Sequence, residues 1–279
     1  MIRLFLLILW QIFIVKKMKR LCYVIVLSLA ACCLSSQCVG WQDAAAQPKV
    51  SQDQKLEYPA FTADEDVIEH IGYTTSYNHT TLIPNWVAYE LTGEEASGEL
   101  PRNDAFAQDE MCKGKQAELS DYKGSGWDRG HMAPAADMKW SEQAMLESFL
   151  LTNMCPQNHD CNAGCWEKTE KMGRRIAKQY GKVYIVCGPV FTTHEFGTIG
   201  ANHVAVPDAF FKAFLIESNG TYAAIGFIMN NTSDKQELKA SSMSVDDLEA
   251  KIGRDLFPNL PDEIENEIES KIVKKYWGI

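Results

Sequence analysis

The sequence predicts one mixed α/β domain, of the kind in which strands and helices intermingle along the chain. Alternating apolar and polar residues near the start of the folded region and short β-rich apolar runs later supply strands, while stretches with helical periodicity lie among and after them. No repeat and no linker interrupts the order after residue 58. The 279 residues are 46% hydrophobic, which suffices for one full core.

Residues 70–78 and 85–91 read as two strands joined across 80–84, a hairpin at one edge of a sheet. Residues 93–126 are polar and charged and form a long loop carrying Arg102, Asn103 and Asp104, a length that marks loops with function. Residues 141–151 place Ala144, Met145, Phe149 and Leu150 at helical spacing behind a Ser141 cap. Residues 153–165 look irregular, and 166–180 are helical, with Trp166, Met172, Ile176 and Tyr180 available for burial. Three apolar runs, 183–187, 210–216 and 222–229, are rich in β-formers and supply core strands. Ser244 followed by Asp247 starts a helix that runs to about Gly253, and 261–276 form a last amphipathic helix.

Residues 1–40 stand apart from this domain. Apolar runs at 2–15 and 21–34, broken by Lys16, Lys17, Lys19 and Arg20, are each short for a membrane span of ~20 residues. From Met18, a basic start, an apolar stretch and small residues follow the pattern of a secretory signal, with translation beginning at Met18. Leu29-Ala30-Ala31-Cys32 also matches a bacterial lipobox, which would lipidate Cys32 and anchor the protein on a membrane face outside the cytoplasm. Cleavage near 35–40 with release, secreted or periplasmic, and a retained membrane segment are the alternatives. Residues 41–58 are polar and aperiodic, a flexible tether to a domain at 59–279.

Export carries two further expectations. One or two disulfides would form among Cys112, Cys155, Cys161, Cys165 and Cys187, with a bridge in the crowded trio Cys155, Cys161 and Cys165 favoured over a zinc site there. In a eukaryotic secretory protein, the sequons at Asn78, Asn219, Asn230 and Asn231 would be glycosylated.

The one dense cluster of catalytic residue types is Asp128-Arg129-Gly130-His131, with Asn162 and Glu170 downstream. Hydrolysis of a phosphodiester needs a base for water, positive charge for the transition state and stabilisation of the leaving oxygen. His131, with an ordinary imidazole pKa of ~6.5, suits the base. Arg129 and Arg102 can clamp phosphate oxygens through both arms of a guanidinium. Asn162 offers a neutral oxygen to a hard cation, and Glu170, two i,i+4 steps along one helix via Trp166, can act through metal-bound water, such as the water that protonates the leaving oxygen. By residue type alone, a structural ion-pair site fits the Asp-Arg-His group as well. The net charge of −10 excludes a broad basic surface, so a polyphosphate must be held by a few arginines and a metal.

Asp128-Arg129-Gly130-His131-Met132-Ala133-Pro134-Ala135, then Glu147-Ser148-Phe149, Thr152 to Gln157, Asn162 to Trp166 and Glu170, resemble the DNA/RNA non-specific endonuclease family. Asn85 to Tyr89, Gly188 to Phe191 and Val206 to Lys212 match further segments, so the resemblance spans about residues 69–257. It implies a ββα-metal (His-Me finger) nuclease fold with a central, mostly antiparallel sheet flanked by helices. It also implies cleavage of DNA and RNA with little sequence preference, dependent on Mg²⁺ with Mn²⁺ as a substitute. Carried over by position, His131 is the general base, Asn162 the direct metal ligand, Glu170 the holder of metal-bound water, Arg129 a phosphate contact and Asn153 a supporting site residue. Arg102 takes the place of a loop arginine, and Asp128 shapes the loop. Cys161, where an apolar residue is usual, departs from the pattern and would make the site redox-sensitive. An inactive nuclease-like binding module and a narrower phosphodiesterase, acting on one strand type or on short oligonucleotides, are the alternative functions.

Overall fold

The computed structural model describes residues 54–279. Along the chain come β1 (Asp66–Glu69), β2 (Thr74–Asn78), β3 (Ile83–Thr92), the short α1 (Leu119–Tyr122), β4 (Asp128–His131), α2 (Glu142–Glu147) and β5 (Met154–Gln157). A π-helical turn (Cys161–Trp166) leads into α3 (Glu167–Tyr180), then β6 (Lys182–Val190), the two-residue strands β7 (Thr198–Ile199) and β8 (Val204–Ala205), β9 (Ala209–Ser218) and β10 (Thr221–Asn230). α4 (Leu238–Ser241), β11 (Ser242–Met243), α5 (Val245–Ile252) and α6 (Asp262–Glu269) follow.

The main sheet has the order β1-β2-β3-β6-β9-β10-β11, and every pair in it is antiparallel. β9 and β10 meet across Asn219 and Gly220, both with left-handed backbone (φ 53° and 75°), the twist that a two-residue hairpin requires and that Asn-Gly accepts readily. Helices cover both faces. Met172, Ile176 and Ala177 of α3 join Leu91, Ile185 and Phe214 in one core cluster, and Val245, Leu248, Ile264 and Ile268 of α5 and α6 join Trp86, Val186 and Leu215 in another. A sheet covered twice buries both sides of its central strands, so β9 is buried from Ala209 to Ile216. Each large apolar side chain buried in this way stabilises the fold by ~1.5–3 kcal/mol. Gly226 lets α5 approach, since a Cβ there would lie 2.7 Å from Leu248.

Several boundaries differ from the sequence expectations. The first strand begins at Thr74, because His70 donates to the Tyr73 carbonyl (2.8 Å) in a turn that follows the unforeseen β1. The helix expected over 141–151 stops at Glu147, although its Ser141 cap is present. The last helix stops at Glu269 rather than running to 276, for Trp277 is fully buried and Arg175 holds its carbonyl, which draws the chain off the helix path. The stretch 153–165 is not irregular: it contains β5 and most of the π turn.

Residues 54–58, assigned to the tether, belong to the fold. Leu56 and Tyr58 are buried, and the Tyr58 hydroxyl lies 2.8 Å from that of Thr74. The proposed signal, Cys32 and the rest of the tether lie outside the described residues. The expected disulfides do not form among the described residues: Cys112, Cys155, Cys161, Cys165 and Cys187 are all free and buried. Cys161 and Cys165, one turn apart on the π segment, hold their sulfurs 3.7 Å apart in a hydrogen bond. Nor is the trio Cys155, Cys161 and Cys165 among the clusters of metal-type ligands in the described residues. Asn231 is fully buried, its amide donating to the carbonyls of Pro156 and Pro207, so it is closed to glycosylation.

Candidate active site

β4, β5 and the π turn with α3 make a compact ββα unit beside the main sheet. β4 and β5 pair antiparallel, with Gly130 opposite Cys155 and His131 opposite Met154. The Gln157 side chain crosses over Gly130, where a Cβ would meet it at 2.2 Å, so the third residue of Asp-Arg-Gly-His must be glycine. Trp166, fully buried, donates its indole N–H to the His131 carbonyl (2.9 Å) and locks the helix onto the strand.

The His131 ring is boxed by aromatic side chains. Phe149 meets it edge to face at 4.9 Å and Phe106 at 5.8 Å. Burial in this box, reinforced by the charges of Arg102 and Arg129, lowers the imidazole pKa to about 3, against the opposing pull of Asp104. The ring is therefore neutral at pH 7, and its Nε2 has no hydrogen-bond partner. Charged imidazolium could not accept a proton; this ring can.

The same aromatic rings carry the arginines. The Arg129 guanidinium stacks 3.9 Å over Phe106, and Arg102 lies 4.8 Å over Phe149. Arg102 is also bound to Asp104 (2.7 Å), whereas Arg129, exposed, joins no ion pair among the described residues. Its charge is free for an anion. Both arginines line a cleft of about 810 Å³ together with Phe106, Lys123, Asp128 and Asn162.

Asn162 reaches this cleft from the π turn. Its Nδ2 donates to Asp128 Oδ2 (2.9 Å), which fixes the amide and leaves Oδ1 without a hydrogen bond among the described residues. Asp128 also takes Nδ1 of His159 (2.9 Å), whose pKa that carboxylate raises. In an uninterrupted α-helix, residues 162 and 170 would sit about 80° apart around the axis, at ~100° per residue. The wider π turn rotates less per residue and narrows that offset, so the expected simple α-helical face is replaced by a π turn followed by α3.

Glu170 lies on α3 near a buried polar group. Burial raises its pKa to about 7, with Lys212 and Arg174 pulling it down and Asp137 pushing it up. Asp137 is paired with Arg174 and accepts from the Tyr89 hydroxyl (2.8 Å). Asn153 does not line the cleft. It is fully buried and spends its amide on backbone: Oδ1 accepts from Ala133 N (2.9 Å), and Nδ2 donates to the Ala133 and Ser148 carbonyls (2.8 Å each). It positions the chain just after His131.

Sequence reasoning missed Phe106 and Phe149, which hold the base and both arginines, and the bond from Asn162 to Asp128. Phe106 had no signal within a polar loop. Asp128 had one, as an acid beside the cluster, but which amide it would hold depends on the pairing of β4 with β5. An unbonded amide oxygen suits a hard cation: Asn162 lines the cleft with its Oδ1 free of hydrogen bonds among the described residues, whereas Glu170 and His131 are not among the residues that line it.

A sequence profile described as DNA/RNA non-specific endonuclease matches residues 52–263. Among curated proteins, the chain is 35% identical over 225 residues to the mitochondrial nuclease EXOG of Xenopus laevis, covering 75% of this chain and 63% of that protein. It is 36% identical over 160 residues to human mitochondrial endonuclease G, covering 53% and 54%. Nuclease 1, mitochondrial, of Schizosaccharomyces pombe is 32% identical over 235 residues, covering 77% and 72%. The chain thus spans less than two thirds of the Xenopus and human proteins. A crystal structure of the EndoG/EndoGI complex, on the mechanism of EndoG inhibition, superposes with a TM-score of 0.67 at 29% identity, covering 74% of this chain and 91% of that one. These relatives are mitochondrial nucleases, which overturns the expectation of an exported, secreted or lipid-anchored protein. Among the described residues, no helix is long and apolar enough to cross a membrane.

Proposed function

Since the chain belongs to the DNA/RNA non-specific endonuclease family, we propose that it hydrolyses phosphodiester bonds in DNA and RNA with His131 as general base. The observation that carries this reading is the pairing, on one ββα unit, of an unprotonated imidazole with the unbonded Asn162 oxygen. The neutral His131 ring takes a proton from the attacking water, while Phe106 and Phe149 keep the ring fixed. Arg129, stacked on Phe106 and free of any carboxylate, binds the scissile phosphate, and Arg102 adds a second positive contact from the loop. Asn162 would hold Mg²⁺, or Mn²⁺ in its place, through Oδ1, and Glu170 would hold its water. The ion would supply positive charge to the leaving oxygen. Asp128 keeps Asn162 in the orientation that presents oxygen rather than N–H. Asn153 holds the backbone beside the base.

Plasmid DNA and RNA digested with and without Mg²⁺, wild type against His131→Ala, test the proposal. The variant is expected to lose activity by ~10²–10⁴-fold, the usual worth of a general base, with unchanged circular dichroism. A folded His131→Ala protein that still cleaves at the wild-type rate overturns it. Metal binding without cleavage in the wild type would favour the inactive-module alternative.

A further inference from the structure

Away from the cleft, Asp66 at the start of β1, His79 just after β2 and Cys112 in the loop before α1 bring a carboxylate oxygen, an imidazole nitrogen and a sulfur within 4.8 Å of one another. None of the three lines the cleft that holds Arg129 and Asn162. We propose that this trio is a second metal site, distinct from the catalytic one, that binds a zinc-type divalent ion and fastens the loop over 101–118 to the edge of the sheet.

The His79 ring carries the argument. Its Nδ1 lies 2.9 Å from the Lys115 carbonyl and its Nε2 lies 3.0 Å from Asp66 Oδ2. Both neighbours are acceptors, yet a neutral imidazole has one N–H. With Nδ1–H given to the carbonyl, the Nε2 lone pair of a neutral ring faces Asp66 Oδ2; a proton on Nε2 would satisfy that pair alone, whereas a metal ion there would also engage the Cys112 sulfur that lies within 4.8 Å of both. A metal-ligating histidine typically donates its other N–H to a backbone carbonyl in this way. The loop backbone packs closely on the ring: a Cβ on Gly114 would lie 2.3 Å from His79 Cε1, so a larger residue there would push the ring out of its present place.

The donor set selects the ion. Mg²⁺ takes oxygen ligands, whereas nitrogen and thiolate sulfur suit Zn²⁺. Zn²⁺ bonds of ~2.0–2.3 Å place ligand atoms roughly 3.3–3.7 Å apart in a tetrahedron, a spacing that small side-chain adjustments reach from this one. The side chains of Asp66 and His79 are 39% and 36% exposed, which leaves an entry path and room for a water as fourth ligand. Cys112 is buried against Ile68 and Tyr77, and its thiol would lose its proton to solvent on binding.

The consequence for the fold follows from what the loop holds. Arg102 and Phe106 lie toward one end of it. Asp109, three residues before Cys112, accepts from Thr152 (2.7 Å) and contacts His70 Nε2 (3.0 Å), next to the buried Asn153. An ion on Cys112 would tie this turn to β1 and β2.

The test uses the full chain, stripped with chelator and kept in excess Mg²⁺ so that the oxygen site is filled. The wild type is expected to retain one equivalent of Zn²⁺ through dialysis and, with Co²⁺, to show thiolate-to-cobalt charge transfer in the near ultraviolet. Cys112→Ser should abolish that band, and the surface variant Asp66→Asn, which spares the core, should weaken Co²⁺ binding by about 10–100-fold or more, the cost of losing even an outer partner of a metal site. Asn162→Ala should leave the band intact. No stoichiometric Zn²⁺ in the wild type, a band that persists in folded Cys112→Ser, or a band lost with Asn162→Ala overturns the proposal.

Discussion

Replacing Asn153 with alanine separates a positioning residue from one that touches substrate. The side chain makes three hydrogen bonds in a fully buried place, so the substitution strands Ala133 N and the carbonyls of Ala133 and Ser148. At ~1 kcal/mol for each stranded group, the low end of the range for buried unsatisfied polar atoms, the loss is about 3 kcal/mol. For a domain of this size, that lowers the melting temperature by ~6–12 °C, at roughly 2–4 °C per kcal/mol. Asn153→Asp should do no better although it preserves volume, because a carboxylate oxygen would then face two carbonyls. Activity should fall as well, since Ala133 lies two residues from His131. Thermal melts and urea unfolding of both variants, alongside DNA digestion, check this. A protein that melts within ~2 °C of wild type yet has lost its activity would refute the reasoning, because it would mean that Asn153 acts on substrate or metal.

Other outcomes follow from the same geometry. Asp128→Asn frees the Asn162 amide to turn its N–H into the cleft, so the Mg²⁺ concentration for half-maximal cleavage should rise ~10–100-fold, as read from a metal titration of activity. Phe106→Ala removes the platform under Arg129; a cation–π contact of ~0.5–2 kcal/mol corresponds to a loss of roughly 2–30-fold in kcat/KM. In the C-terminal helices, burial raises Glu269 to about 9 and Glu249 to about 7, with neighbouring carboxylates adding to each shift. Between their unfolded value of ~4.3 and these values, the native state holds protons that the unfolded state has lost. Stability should therefore be greatest at acidic pH within this window and fall as pH rises through 7 to 9. Glu269→Gln should flatten that fall in melts across the range.

Residue pattern alone predicted the mixed α/β class, the core strands within β6, β9 and β10 and the helix that ends at Tyr180, while the candidate site residues came from the family resemblance of their motifs. Those signals are local: apolar runs, a Ser244 cap whose hydroxyl accepts from Asp247, and an Asp-Arg-Gly-His motif that keeps its order wherever the chain folds. The tertiary structure settled what depends on partners distant in sequence. β4 and β5 are strands because they pair with each other and pack under Trp166, not because Asp-Arg-Gly-His or Met-Cys-Pro-Gln favours strand. His131 is held neutral because Phe106 and Phe149 come from other segments to enclose it, and Asn162 presents oxygen because Asp128, 34 residues earlier, takes its N–H. Composition and spacing name the groups that can do chemistry; their burial, orientation and charge state arise only when separate stretches of chain are packed against them.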